Sequence, residues 1–196
     1  MDNTLPVKKS KLIQNIVVTA IVTTIWVILC TLGFNPANEP IDSIAVIWPG
    51  AILHGVGAIL LGGWGIVATV LSAVIVDVIK VGSLHIILGF SIPDLIQALI
   101  PAWYYRNQIK RFGWGPEVFS FKSYLLFATL IPNIVGAIIA TIIFHPSNQP
   151  IEQMWFPFLR WLVANIPISL ILGWPLLKCL GPIMAEEGLT VNGWWQ

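Results

Sequence analysis

Charge is what this chain has least of. Lys, Arg, Asp and Glu supply 10% of its 196 residues, against about 25% in ordinary globular domains. Hydrophobic residues supply 57%, and the mean hydropathy is +0.84. The net charge is only +1, so there is no basic footprint for nucleic acid. No polar stretch is long enough to bury a core of its own. These deficits exclude a water-soluble globular protein. They leave a polytopic membrane protein with one integral domain over 1–196.

Cysteine and histidine are scarce as well. Cys30 and Cys179 fall at opposite membrane faces in the topology below, about 30 Å apart. That is beyond disulfide reach, and both read as small apolar packing residues. His54, His85 and His145 lie on different spans, and none has a second ligand at helical spacing. No metal site is expected. No Ser-His-Asp, HExxH or CxxC arrangement is present. The glycine cluster HGVGAILLGGWG lacks the lysine and hydroxyl of a phosphate loop. Small residues there suit close helix packing and a tight turn. Neither a cofactor nor an enzymatic activity is expected.

What the chain does have is apolar runs of spanning length. Six transmembrane helices are expected, at 12–34, 44–61, 66–81, 84–105, 123–144 and 154–180. The fold class is all-α, a six-helix membrane bundle. The first run follows a basic flank and is too long for a signal peptide, so it reads as a retained helix. Lys8, Lys9, Lys11, Arg106, Lys110, Arg111, Lys122 and Lys178 fall on one side. Only Lys80 and Arg160 fall on the other, whose loops carry Glu39, Asp42 and Glu152. By the positive-inside rule both termini are cytoplasmic. Trp64, Trp103 and Trp174 then lie near the inner interface, and Trp48, Trp155 and Trp161 near the outer one.

Some polar residues sit at depths where they cost energy. A charged group at mid-membrane costs about 2.5–3.5 kcal/mol on the insertion scale. Asp94 lies in the middle of the fourth span, where many Leu, Ile and Phe residues at about −0.3 to −0.6 kcal/mol each offset it. Such a group faces protein or a water-filled cavity rather than lipid. Gln97 lies three residues on, and Asp77 and Lys80 share a face at the outer end of the third span. Trp48 opens the second span, and Arg160, Trp161 and Asn165 lie near the start of the sixth. Polar groups with aromatic walls make a small-molecule pocket. The competing reading is a set of ion pairs, Asp77–Lys80 or Asp94–Arg160, that only closes the bundle. Prolines 49, 93, 101, 132, 157, 167 and 175 also interrupt spans, and each frees a carbonyl that must be satisfied again.

The chain resembles the substrate-binding S components of energy-coupling-factor (ECF) vitamin transporters. The resemblance rests on WPGAIL at the start of span two and on the small-residue turn LLGGWGIVATVLSAVIVDVI. The span endings LIQALIPAWYYR and IPISLILGWPLLK add to it. It implies a small vitamin-like solute bound from outside at the plasma membrane, by the polar and aromatic residues named above. It also implies a membrane coupling protein and two ABC-type ATPases as partners. The coupling protein would dock on small residues of the first helix, here Ala20 and Thr24. The Met-x-His start of the metal-transporting members is absent, as the chain begins Met-Asp-Asn. An alternative is a membrane-embedded sensor module of a bacterial signalling system. Such modules also use W-P-x-A and glycine-rich turns, but they feed a cytoplasmic signalling domain, and none is expected here.

Overall fold

The computed structural model describes residues 5–33, 47–80, 82–116, 118–144 and 150–195. Among them every regular element is helical. They are α1 (Leu5–Gly33), α2 (Gly50–Leu61), α3 (Gly63–Lys80), α4 (Leu84–Phe112), α5 (Phe121–Phe144) and α6 (Glu152–Glu186). All but α2 are long and apolar enough to cross a membrane. The expected loop 35–43 with Glu39 and Asp42, the opening of the second span at 44–46, and His145 lie outside the described residues.

The second element is shorter than the sequence suggests. A residue before proline is pushed out of the α region, so Trp48 is not helical and the helix starts behind Pro49. Its twelve residues cover about 18 Å at 1.5 Å each, short of a bilayer core of about 30 Å. Every one of them is buried. A helix that is apolar nearly all round belongs inside a protein, and α2, apolar but for His54, lies against α3, α4, α5 and α6. α1 packs chiefly on α3, α4 bridges α3 and α5, and α5 meets α6. The short helix is thus the centre about which the long ones stand.

Two helices run longer than expected. α4 continues past 105 because Asn107 to Arg111 carry no breaker. It closes at Gly113, whose φ is +64° and whose N–H bonds Ile109 O at 2.8 Å. α6 continues to Glu186 and closes through the Leu189 N–H to Met184 O bond at 2.8 Å.

The outer surface is apolar. Ile13, Val17, Ile21, Ile25 and Ile28 of α1 are exposed, while Thr19, Thr23 and Cys30 turn inward. Exposed Ile and Leu also line α3 to α6. Water would not tolerate so much contiguous apolar surface, and a lipid environment accounts for it.

Close approach explains particular glycines. A Cβ on Gly65 would stand 2.1 Å from the Gly57 carbonyl oxygen, so α2 and α3 touch backbone to backbone there. Gly65→Ala therefore pushes two helices apart, an overpacking cost of about 1–3 kcal/mol. The expected result is a lower midpoint of thermal unfolding in detergent, read by tryptophan fluorescence. An unchanged midpoint would mean that the two helices are not held this closely.

The C-terminal tail, short in the sequence, is a structural part. The Val191 N–H bonds Leu60 O at 3.0 Å, and the Gly63 N–H bonds Trp194 O at 2.6 Å. The Arg106 guanidinium donates to the carbonyls of Ile59, Val191 and Gly193. The tail and Arg106 thereby satisfy carbonyls that the end of α2 leaves open. The double glycine fits this contact. Gly62 has φ +58°, and a Cβ on it would meet the Gly193 and Trp194 carbonyls at 2.9 Å. The Asn15 side chain reaches Trp195 O at 3.4 Å, so the third turn of α1 meets the tail.

Candidate functional site

Three helices depart from α geometry where they meet. α2 widens into a π-turn at Leu53–Gly57, α5 at Tyr124–Leu130 and α6 at Ser169–Gly173. The latter two end one residue short of Pro132 and Pro175. A proline ring crowds the carbonyl four residues back, and a wider turn relieves that contact. All three π-turns meet at the Tyr124 hydroxyl. It bonds Ser169 O at 3.1 Å, and a Cβ on Gly55 or Gly173 would meet it at 3.3 or 2.2 Å. Thr129 Oγ1 and Ser169 Oγ lie 3.0 Å apart beside it. π-turns are frequent at functional sites.

From this junction polar side chains continue through the bundle. The π-turn of α2 carries His54, whose Nε2 lies 3.3 Å from Asp94 Oδ1 on α4. Both residues are buried. Asp77 of α3 is buried within electrostatic range of Asp94. Cys30 of α1 lies within range of both carboxyl groups. Gln97, one turn beyond Asp94, is 0% exposed. It adjoins His54 and lies on Gly136 of α5, where a Cβ would meet its amide nitrogen at 2.1 Å. Asn133, one turn before Gly136, is buried and donates to Thr129 O at 2.7 Å. Aromatic rings lie towards the start of α6. Trp161 stacks on Phe90 with centroids 6.0 Å apart, and Phe90 lies 4.6 Å from Phe144. Asn165 is buried and donates to Trp161 O at 2.9 Å.

Many of these groups are incompletely satisfied within the protein. Asp77 Oδ2, Asn133 Oδ1, Trp161 Nε1 and Asn165 Oδ1 are buried without a hydrogen-bond partner, and His54 Nδ1 and the Gln97 amide adjoin one another without a well-formed bond. They come from α2, α3, α4, α5 and α6. An unsatisfied buried polar atom costs about 1–3 kcal/mol, and native proteins carry few of them. Donors and acceptors from five helices therefore stand ready for a polar guest or for water.

No protein family, curated protein or solved structure matches this chain. The functional reading rests on the chemistry of the site.

The residues expected from sequence fall into two groups. Asp77, Asp94, Gln97, Trp161 and Asn165 are buried in the bundle, and the first three belong to the polar track with His54. Trp48, Lys80 and Arg160 are half-exposed. The Trp48 N–H bonds Ala164 O at 3.2 Å and so ties the start of α2 to α6. Asp94 takes His54 as its partner, and no salt bridge joins Asp77 to Lys80. The ion pairs weighed from the sequence are thus not what holds these two carboxyl groups. Trp161 turns into the core, whereas Trp103 and Trp155 are 61% and 66% exposed, as interfacial residues are. Cys30 and Cys179 are both free, the first buried and the second exposed. Ala20 and Thr24 lie on the exposed face of α1, where the Thr24 hydroxyl bonds Ala20 O at 2.9 Å.

Sequence reasoning missed His54, Asn133 and the Tyr124–Ser169 junction. A lone histidine in an apolar stretch carries no sign of its partner, since Asp94 lies forty residues on. The glycines at 55 and 173 were the available signal for the junction.

Proposed function

We propose that this chain is the substrate-binding membrane component of an uptake transporter of the energy-coupling-factor type. It takes a small vitamin-like solute from outside the cell. One observation carries the reading: buried donors and acceptors without partners come from five helices, among them His54 of the short, fully buried α2. Discontinuous or short helices at a polar site recur in transporters, where irregular backbone is tolerated because it lines a cavity. The carboxyl groups of Asp77 and Asp94, the amides of Gln97 and Asn165, and the Trp161 ring contact the solute. Trp48, Lys80 and Arg160 stand at its entrance. A solute with several hydrogen-bonding groups on a flat ring system suits such a lining.

In this reading the bundle has six helices in the plasma membrane, and both termini are cytoplasmic. The cations that gather at 106–111, 122 and 178 face the cytoplasm. The exposed small-residue face at Ala20 and Thr24 receives the coupling protein, which works with two ABC-type ATPases. The test is mass spectrometry of small molecules that stay with the detergent-purified protein. A single polar compound retained at about one per chain is expected. Purification free of any such compound, with no binding across a vitamin panel, would overturn the proposal.

A further inference from the structure

Where α4 ends, a hollow opens that shares no residue with the polar track. It is a cleft of about 610 Å³. Arg106, Asn107 and Lys110 of α4 form one wall, and Asn192, Gly193 and Trp194 of the tail form the other. Arg106 is 5% exposed. Its terminal nitrogens hold carbonyls of α2 and the tail, but its Nε–H has no partner. The Trp114 ring lies 5.5 Å from its guanidinium carbon. Among the described residues no carboxylate pairs with Arg106 or Lys110. Among the described residues the cleft therefore holds two formal positive charges without a counter-charge. The amides add donors. Trp114 Nε1–H bonds Asn192 Oδ1 at 2.8 Å, which leaves the NH2 group of Asn192 to donate elsewhere.

Depth narrows the ligand. The cleft lies at the end of a spanning helix, beyond the exposed Trp103 and beside Trp194 and Trp195, which are 38% and 53% exposed. Tryptophans at that level mark the headgroup region. Basic pockets between helices at that level hold anionic lipid headgroups. We propose that this cleft is a phosphate-binding site at the membrane surface. Lys110 contacts the anion, the buried Arg106 guanidinium adds its charge to that wall, and Asn107 and Asn192 orient the anion. The phosphate comes either from an anionic phospholipid headgroup or from a free phosphate. The proposal is independent of the solute reading, since no residue is shared.

The test uses the full chain in two arms. In the first, nanodiscs hold equal amounts of phosphatidylcholine and phosphatidylglycerol, and lipid retention is read by native mass spectrometry. In the second, inorganic phosphate is titrated into the detergent-solubilised protein, with tryptophan fluorescence as the readout. Phosphatidylglycerol retained in preference to phosphatidylcholine assigns a lipid headgroup. Saturable phosphate binding without that preference assigns a free phosphate. In either case Lys110→Glu, at an exposed position, lowers binding about tenfold, equivalent to ~1.4 kcal/mol. Lys178→Glu, exposed and outside the cleft, leaves it unchanged. Binding in neither arm would overturn the site. So would binding that Lys178→Glu weakens as much as Lys110→Glu does, or binding that both Lys110→Glu and Asn107→Leu leave intact.

Discussion

Asp94→Asn is expected to weaken solute binding by about 100-fold or more while the bundle stays folded. A buried hydrogen-bonding group left without its partner costs about 1–3 kcal/mol, and the upper end of that range is a factor of about 100 in affinity. The asparagine keeps the shape of the side chain and can still hydrogen-bond His54, which lies 3.3 Å from the Asp94 carboxyl group. The fold control is therefore clean: helical content and elution volume stay as in the wild type. Asp94→Ala behaves differently, since it leaves His54 buried without its partner. That variant loses about 1–3 kcal/mol of stability as well. Isothermal titration with the co-purifying solute reads the first effect, and thermal unfolding reads the second. Equal affinity in the wild type and Asp94→Asn would remove this residue from the site.

Arg106→Leu is expected to free the tail and to destabilise the bundle. The guanidinium joins three carbonyls, Ile59 of α2 and Val191 and Gly193 of the tail. Hydrogen bonds to a charged donor are worth about 1.5–3 kcal/mol each. Leucine leaves those carbonyls to a wetter or looser end, so a loss of about 3–5 kcal/mol is expected. The tail then becomes a protease target. Limited proteolysis removes the segment after α6 in Arg106→Leu under conditions that leave the wild type whole. A wild-type rate of cleavage in the variant would show that the tail is held by its other bonds, Val191 to Leu60 and Trp194 to Gly63.

The apolar runs made the helices legible, because lipid imposes both length and composition on a spanning segment. Their ends were less so. Gly113 marked the end of α4, yet the cationic stretch before it read as a loop. Trp48–Pro49 marked the true start of α2, but continuous hydropathy through 44–61 masked it. The site was half legible. The cost of a carboxyl group in a span singled out Asp77 and Asp94 without reference to any partner. Partners belong to other helices, and helical periodicity is silent about which faces meet. His54 was thus invisible, as was the contact between Gln97 and Gly136. The tail posed the same problem. Residues 189–195 hold no periodic pattern, and their docking depends on glycines at 62 and 63 more than a hundred residues earlier.

The polar atoms within this bundle await a guest instead of one another. An experimental structure of the protein purified from its native membrane, at a resolution that shows hydrogen-bonding atoms, tests this most directly. The account predicts density for a small organic molecule in contact with Asp94, Gln97 and Asn165. A well-resolved core in which those three side chains close on each other, with no molecule among them, would contradict it.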